Sequence, residues 1–227
     1  MTEPSSLESH LSPLAVAAGK PLLWLGIVLL IMSLAILRQV TLKSEDPPPD
    51  LGLLGSFTLE NQRGETFGTE QLRGGIWFGS VVCTQCSLMN PQILKRFAEV
   101  QHRSRGLGND FHLVSFSMDP ANDTGAAFQE MGRSVGASSR AWVFLRGEET
   151  TLHSVIADLY GAGSGSDPTS PLLGSISPDH PHVMVLVDQV GHVRGRYDLR
   201  QPEVVDQLMT HAGLVANTPF QRAAQSR

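Results

Sequence analysis

The sequence predicts an α/β fold, a mixed sheet flanked by helices that follows one N-terminal transmembrane helix. Apolar runs of strand length alternate with segments of helical periodicity along most of the chain. A turn signal late in the chain joins two strand-like segments as a hairpin, so the sheet cannot be wholly parallel. The 227 residues suffice for one domain of roughly 150 residues with appendages.

Composition excludes two classes of protein. The net charge is −5 and the sequence pI is about 5.9, with no basic patch or arginine run, so we expect no nucleic-acid partner. The two cysteines can build neither a disulfide scaffold nor a four-cysteine zinc site.

The N-terminal part predicts a membrane anchor. We interpret residues 1–20 as a short tail and residues 21–38 as a transmembrane helix, because Pro21–Leu37 carries no charge and is just long enough to cross a bilayer. A cleaved signal peptide fits less well, because the run exceeds a usual h-region and acidic residues precede it. A buried core helix is a weaker alternative, since the run is apolar all round. Residues 39–52 then form a Pro-rich linker.

The predicted domain spans residues 53–215 and leaves residues 216–227 as a flexible tail. Its elements, in chain order, are a hairpin from Ser56–Glu60 through the turn Asn61–Gly64, a helical turn at Thr69–Arg73, strand Ile76–Val82, helix Gln92–His102, strand Phe111–Ser117, a helix from Thr124 with Asp123 as N-cap, strand Ala141–Leu145, helix Glu148–Tyr160, a loop Gly161–Pro178, strand Val183–Val187, a turn Asp188–Gly191 leading into His192–Tyr197, and helix Pro202–His211.

The cysteine pair is the main chemical signal. Cys83 and Cys86 are spaced C-x-x-C between a buried strand and a helix, the layout of a thioredoxin-like redox or metal site. Unpaired N–H groups and the positive end of the helix dipole lower a thiol pKa there. A plain local disulfide, or two buried thiols, is the alternative. Two such thiolates bind a soft metal such as Cu(I), and an imidazole completes a trigonal site.

Position along the chain narrows the choice among eight histidines. His180 and His182 lie just ahead of the predicted strand Val183–Val187, in the loop that approaches the cysteines in a thioredoxin-like sheet. The other six lie before the anchor, on helices, at the opposite end of a strand or after a hairpin turn. From position alone, His180 and His182 are candidate ligands or solvated loop residues.

Together these segments resemble the Sco/SenC family of membrane-anchored copper proteins with a thioredoxin-like fold. The segments that carry the resemblance are Phe57–Leu59, the strand with its cysteine pair, the Ser-x-Asp-Pro-x-x-Asp-Thr signature at Ser117–Thr124, Trp142–Gly147, Asp179-His180 and Asp188–Asp198. The family's ligand histidine follows an Asp and lies eight residues before a strand-ending Asp, which His180 satisfies relative to Asp188 and His182 does not. The family usually has C-x-x-x-C with a Pro after each cysteine, whereas Thr84 and Ser87 follow the cysteines here.

The resemblance implies a copper metallochaperone for a cytochrome c oxidase copper centre. Cys83, Cys86 and His180 would bind copper, as Cu(I) and possibly Cu(II), and His182 would be an outer or alternative ligand. The partners would be the copper-bearing oxidase subunit or another copper acceptor, the membrane and a thiol reductant. The location would be the bacterial inner membrane, with the domain in the periplasm or otherwise outside the cytoplasmic membrane.

The alternative function is a membrane-anchored thiol-disulfide oxidoreductase acting on an oxidase subunit or a cytochrome apoprotein. Cys83 would attack and Cys86 would resolve the mixed disulfide. A peroxidase of the peroxiredoxin type is weaker, because the second cysteine lies too close to be the usual distant resolving residue.

Overall fold

The structure is a computed structural model that describes residues 21–41, 48–85, 91–107, 111–161 and 182–217. Contacts divide the chain into two units, Met1–Asp46 and Pro47–Arg227. In the first unit, helix α1 (Pro21–Thr41) has 21 residues, and apolar side chains such as Leu22, Ile31 and Leu34 are exposed. Over the described residues, no helix combines the length and hydropathy needed to span a bilayer. The anchor at residues 21–38 stays a prediction.

A mixed α/β sheet forms the centre of the second unit, as predicted. Within its described part, seven strands pair in the order β2-β1-β5-β4-β3-β6-β7. Their bounds are β1 Thr58–Asn61, β2 Thr66–Gly68, β3 Ile76–Val82, β4 Phe111–Ser117, β5 Trp142–Arg146, β6 Val183–Val187 and β7 Val193–Asp198. Strands β3, β4 and β5 are parallel, and the pairs β1–β2, β1–β5, β3–β6 and β6–β7 are antiparallel.

Helices cover both faces of this sheet. The described ones are α2 Thr69–Leu72, α3 Pro91–Ser104 with a 3-10 turn at Arg105–Leu107, α4 Gly125–Ser134, α5 Glu149–Tyr160 and α6 Val204–Asn217. Helix α5 packs on one face, with Leu152 and Ile156 against the strands, whereas α3, α4 and α6 cover the other face through residues such as Phe97 and Leu208. Burial on both faces explains why all seven residues of β3 are buried and why its sequence lacks polar alternation.

Two element predictions need correction. Thr124, not Asp123, is the N-cap of α4, since its hydroxyl oxygen accepts from the Ala127 N–H at 3.2 Å. Helix α6 continues six residues beyond the predicted end at His211, because Ala212 and Val215 still face the core.

The segment before β1 is bound to the β6–β7 hairpin. Leu51 N–H donates to Val193 O at 2.8 Å, and Val193 N–H donates to Gly52 O at 2.9 Å. Asp50 Oδ2 lies 2.6 Å from His192 Nδ1. The end of the predicted linker thus packs on the sheet.

Candidate functional site

Cys83 lies at the carboxyl end of β3, directly after the strand. Its side chain is 2% exposed and it is disulfide-bonded. Cys86, the other cysteine of the sequence, and His180 lie outside the described residues, as does the predicted loop beyond Gly161. The structure therefore places one of the three predicted ligands, at the end of the sheet where strand-to-helix loops gather.

Asp123 holds the backbone next to Cys83. Its carboxylate is fully buried, and Oδ1 accepts from the Thr84 N–H at 2.7 Å and from Thr84 Oγ1 at 2.6 Å. Oδ2 accepts from Ser117 Oγ at 2.6 Å and from the Asp119 N–H at 3.4 Å. Hydrogen bonds to a charged acceptor are about twice as strong as neutral ones. One buried carboxylate thus joins the loop after β3 to the loop after β4.

The Asp-Pro loop is itself folded around this contact. Met118 N–H donates to Val82 O at 2.9 Å, and the Asn122 and Asp123 N–H groups donate to Asp119 O at 3.0 and 2.8 Å. The Ser-x-Asp-Pro-x-x-Asp-Thr signature therefore packs the loop after β4 beside the loop that follows Cys83. Sequence reasoning assigned Asp123 to helix capping and missed this role. The parallel pairing of β3 and β4 could have revealed this contact, because parallel strands end at the same edge of the sheet.

His182 is brought to the same end of the sheet as Cys83. The β3–β6 register pairs Gly79 with Val185, and carried three residues further it sets His182 level with Val82. The His182 side chain is 11% exposed, and its Nε2 lies 3.9 Å from Asp198 Oδ1. Its backbone C=O accepts from the Leu199 N–H at 2.9 Å. His182, which leads into β6, therefore lies at the end of the sheet that carries Cys83.

Asp198 is the carboxylate next to His182. Burial raises its pKa, but hydrogen bonds from the Arg200 side chain and backbone and the charges of His182 and Arg200 outweigh it, so the pKa is lowered. Arg200 Nε donates to Asp198 Oδ1 at 2.9 Å. A carboxylate with a lowered pKa therefore stays beside the His182 imidazole.

The remaining described histidines lie elsewhere. His112 is level with Trp77 at the start of β3, at the end of the sheet opposite Cys83. His192 pairs with Asp50 at the hairpin turn, and His211 Nδ1 lies 2.6 Å from the Tyr197 hydroxyl. His102 and His153 are exposed on α3 and α5.

No cluster of three or more His, Cys, Asp or Glu side chains suited to a metal occurs among the described residues. Cys86 and His180 lie outside those residues. The donor types nevertheless fit a soft cation, since a thiolate position and an imidazole-bearing loop meet at one sheet end.

Comparison with known proteins identifies the family of this chain. The SCO1/SenC family profile matches residues 45–211, about three quarters of the chain. The chain belongs to the SCO1/SenC family. A SCO1 protein homolog of Bacillus subtilis (strain 168) is 29% identical over 91 residues, which are 40% of this chain and 47% of that protein. That match thus spans about half of the curated relative.

Solved structures of SCO1/SenC proteins share the fold. BsSco, described as a member of the Sco family of cytochrome c oxidase assembly proteins, superposes with a TM-score of 0.62 at 20% identity, over 77% of this chain and 98% of that one. ScoI of Bradyrhizobium japonicum, solved with copper bound, gives a TM-score of 0.54 at 20% identity, over 72% of this chain and 99% of that one. At such identities the likeness establishes the thioredoxin-like Sco fold.

Proposed function

We propose that this chain carries copper and delivers it to a copper centre of cytochrome c oxidase during assembly. The observation that supports this most is the meeting of Cys83 and the histidine-bearing start of β6 at one end of the sheet. Copper-bound ScoI, with the same fold, supports the cargo. The ligands would be the Cys83 and Cys86 thiolates and the His180 imidazole.

Two soft thiolates and one imidazole match the preference of Cu(I) for few, polarisable ligands. Delivery would proceed by ligand exchange, in which the acceptor's thiolate and imidazole groups replace this chain's ligands one at a time. No electron is transferred, and copper is the cargo rather than a catalytic cofactor. Asp123 would contribute by holding Thr84, and with it the backbone that directs the Cys83 side chain.

Copper titration of the reduced, detergent-solubilised full chain tests this assignment. We expect one tightly bound Cu(I) per chain, lost in Cys83→Ala and Cys86→Ala and weakened by about 10- to 100-fold in His180→Ala. His192→Ala is the matched control, because this imidazole pairs with Asp50 at the hairpin turn. Equal copper affinities for His180→Ala and His192→Ala would show that His180 is not the third copper ligand. A full loss in His182→Ala would assign the imidazole role to His182 instead.

A thiol-disulfide oxidoreductase is the second candidate, favoured by the disulfide at Cys83. In this reaction the Cys83 thiolate would attack an acceptor disulfide and expel one acceptor thiolate. Cys86 would then attack Cys83 Sγ, releasing the second thiolate, so that the acceptor gains two electrons and this pair is oxidised. Because Cys83 is 2% exposed, its loop must open before attack. A thiol reductant would restore the pair.

The reduction potential of the pair distinguishes the two functions. A reductase needs a potential below that of its acceptor, and each 30 mV corresponds to about 1.4 kcal/mol for this two-electron couple. Catalysed reduction of an oxidase-subunit disulfide, with His180→Ala fully active, would favour the oxidoreductase. Copper transfer by the reduced chain without any change in thiol content would favour the carrier.

We also propose that residues 21–38 anchor the chain in the bacterial inner membrane, with the domain outside the cytoplasm. The support is α1, a 21-residue helix whose exposed side chains include Leu25, Val28 and Leu29. Resistance to carbonate extraction, together with activity of alkaline phosphatase fused after Asn217, is the expected result. Release by carbonate would refute the anchor, and an inactive fusion would refute the orientation.

A further inference from the structure

The ladder between β3 and β6 stops before the two strands reach the site. Its register pairs Trp77 with Val187, Phe78 with Leu186 and Gly79 with Val185. Two residues further along the same register, Val81 and Val183 stand opposite each other. They are not paired as the preceding residues are, although both are buried within the sheet. A buried backbone group needs a partner, so something else must bind these two residues.

That partner is the hydroxyl of Tyr160, the last residue of α5. The phenol donates to Val183 O at 3.0 Å. Burial raises the Tyr160 pKa far above its usual range, whereas a hydrogen bond from the Val81 backbone N–H and the charge of Arg196 act in the opposite direction. The hydroxyl therefore bridges the two strands at the point where direct pairing would continue.

The end of α5 is held firmly in this position. Gly161 ends the helix at φ +78°, a conformation that glycine adopts without strain. Arg196 Nε donates to Leu159 O at 3.2 Å, which places a cation at the helix C-terminus. Leu159 packs on Gly79, where an added Cβ would lie only 2.8 Å from Leu159 Cδ2. The phenol thus cannot leave the gap without disturbing several neighbours.

We propose that Tyr160 is a positioning residue whose hydroxyl sets the separation between the strand end that leads to Cys83 and the strand start that follows the histidine loop. This inference rests on the proposed copper site. A direct backbone hydrogen bond holds nitrogen and oxygen about 2.9 Å apart, whereas two consecutive bonds through a hydroxyl hold them up to about 6 Å apart. Metal–ligand distances tolerate only about 0.2 Å. Removing the hydroxyl therefore changes the spacing by much more than a metal site accepts.

The chain offers a matched control, because its only other tyrosine is also buried and hydrogen-bonded. The Tyr197 hydroxyl lies 2.6 Å from His211 Nδ1, on the side of β7 that packs against α6. Tyr160→Phe and Tyr197→Phe each delete one buried hydroxyl, but only the first lies between β3 and β6. A purely structural role predicts similar losses of thermal stability and no selective effect at the site.

The experiment compares both variants with the wild type as reduced, detergent-solubilised full chains. We expect Tyr160→Phe to lower Cu(I) affinity about 10- to 100-fold and Tyr197→Phe to leave it within about twofold. In metal-free protein, the amide resonances of Val81 to Gln85 and of His182 to Met184 should shift in Tyr160→Phe alone. Equal copper affinities in the two variants, or unshifted amides, would overturn the inference.

Failure of the proposed function is distinguishable from failure of this inference. If the wild type binds no copper, the carrier function and the role of Tyr160 in setting a copper site both fail. If the wild type binds copper and Tyr160→Phe retains full affinity and unshifted amides, only the positioning role of Tyr160 fails. Should Tyr160→Phe not fold, 3-fluorotyrosine replaces the substitution and retains the hydroxyl. Copper loading should then shift the fluorine resonance of residue 160, identified by its persistence in Tyr197→Phe, and an unshifted resonance would overturn the inference.

Discussion

Replacing Asp123 by asparagine tests whether the buried carboxylate holds the two loops together. The amide oxygen can keep the Thr84 contacts, but the new NH₂ group faces the Asp119 N–H, and three short bonds lose their charge assistance. A charge-assisted bond exceeds a neutral one by about 1 kcal/mol, so we expect a loss of about 3 kcal/mol. For a domain of about 150–250 residues this lowers Tm by about 6–12 °C.

Circular dichroism melts of the oxidised full chain measure this loss. Asp119→Asn is the control, since the Asp119 carboxylate accepts from Asn122 Nδ2 at the loop surface, 2.7 Å away. We expect the control to melt within about 2 °C of the wild type. Because Thr84 is adjacent to Cys83, Asp123→Asn should also speed reduction of the disulfide by dithiothreitol. A variant that melts like the control and is reduced at the wild-type rate would refute the bridging role.

Two further predictions concern stability. Gly161→Ala should lower the free energy of unfolding in denaturant by about 1–3 kcal/mol, because φ is +78° and the new Cβ would lie 2.7 Å from Arg196 Nη2. Gly106→Ala is the control, because the space around its Cβ is open. Equal losses of stability in the two variants would contradict this reasoning. Burial raises the Asp50 pKa, but hydrogen bonds from Gly52 and His192 with the charges of His192 and Arg194 lower it overall. A lowered folded pKa gives stability that is present above the unfolded value of about 3.9 and lost as pH falls through the folded value. The wild type should therefore lose its advantage over Asp50→Asn in acid melts below about pH 4, and a constant difference from pH 7 to pH 2 would disprove it.

The hydrophobic pattern of the sequence was sufficient to predict the central strands of the sheet, because these strands are buried on both faces and appear as continuous apolar runs. Strands β3, β4 and β6 begin and end where their apolar runs do. The predicted end of α6 was wrong by six residues, because the sequence after His211 carries no strong helical pattern. Ala212 and Val215 nevertheless pack in the core and extend the helix. The local hydrophobic pattern predicts which residues are buried, but it does not predict how far packing against the rest of the domain extends a helix.

The site was predictable only in part. Of the predicted site residues, the structure describes Cys83 and His182, and these two lie at one end of the sheet as the sequence predicts. The partner of Asp123 could not be predicted, because an Asp before Thr-Gly has a plausible local use as a cap, and only the side-by-side ends of β3 and β4 reveal the contact to Thr84. The sequence predicts Tyr160 only as the last residue of a helix, because its hydroxyl contact with Val183 depends on how two distant strands diverge.

The segment Asp50–Leu54 has a mechanical consequence. Any pull transmitted along the chain from its N-terminal side arrives first at the backbone bonds between Leu51, Gly52 and Val193 and at the Asp50–His192 pair. These contacts lie at the turn end of the β6–β7 hairpin, at the opposite end of the sheet from Cys83. Such a pull would thus open the hairpin end before it reached the loop that follows Cys83.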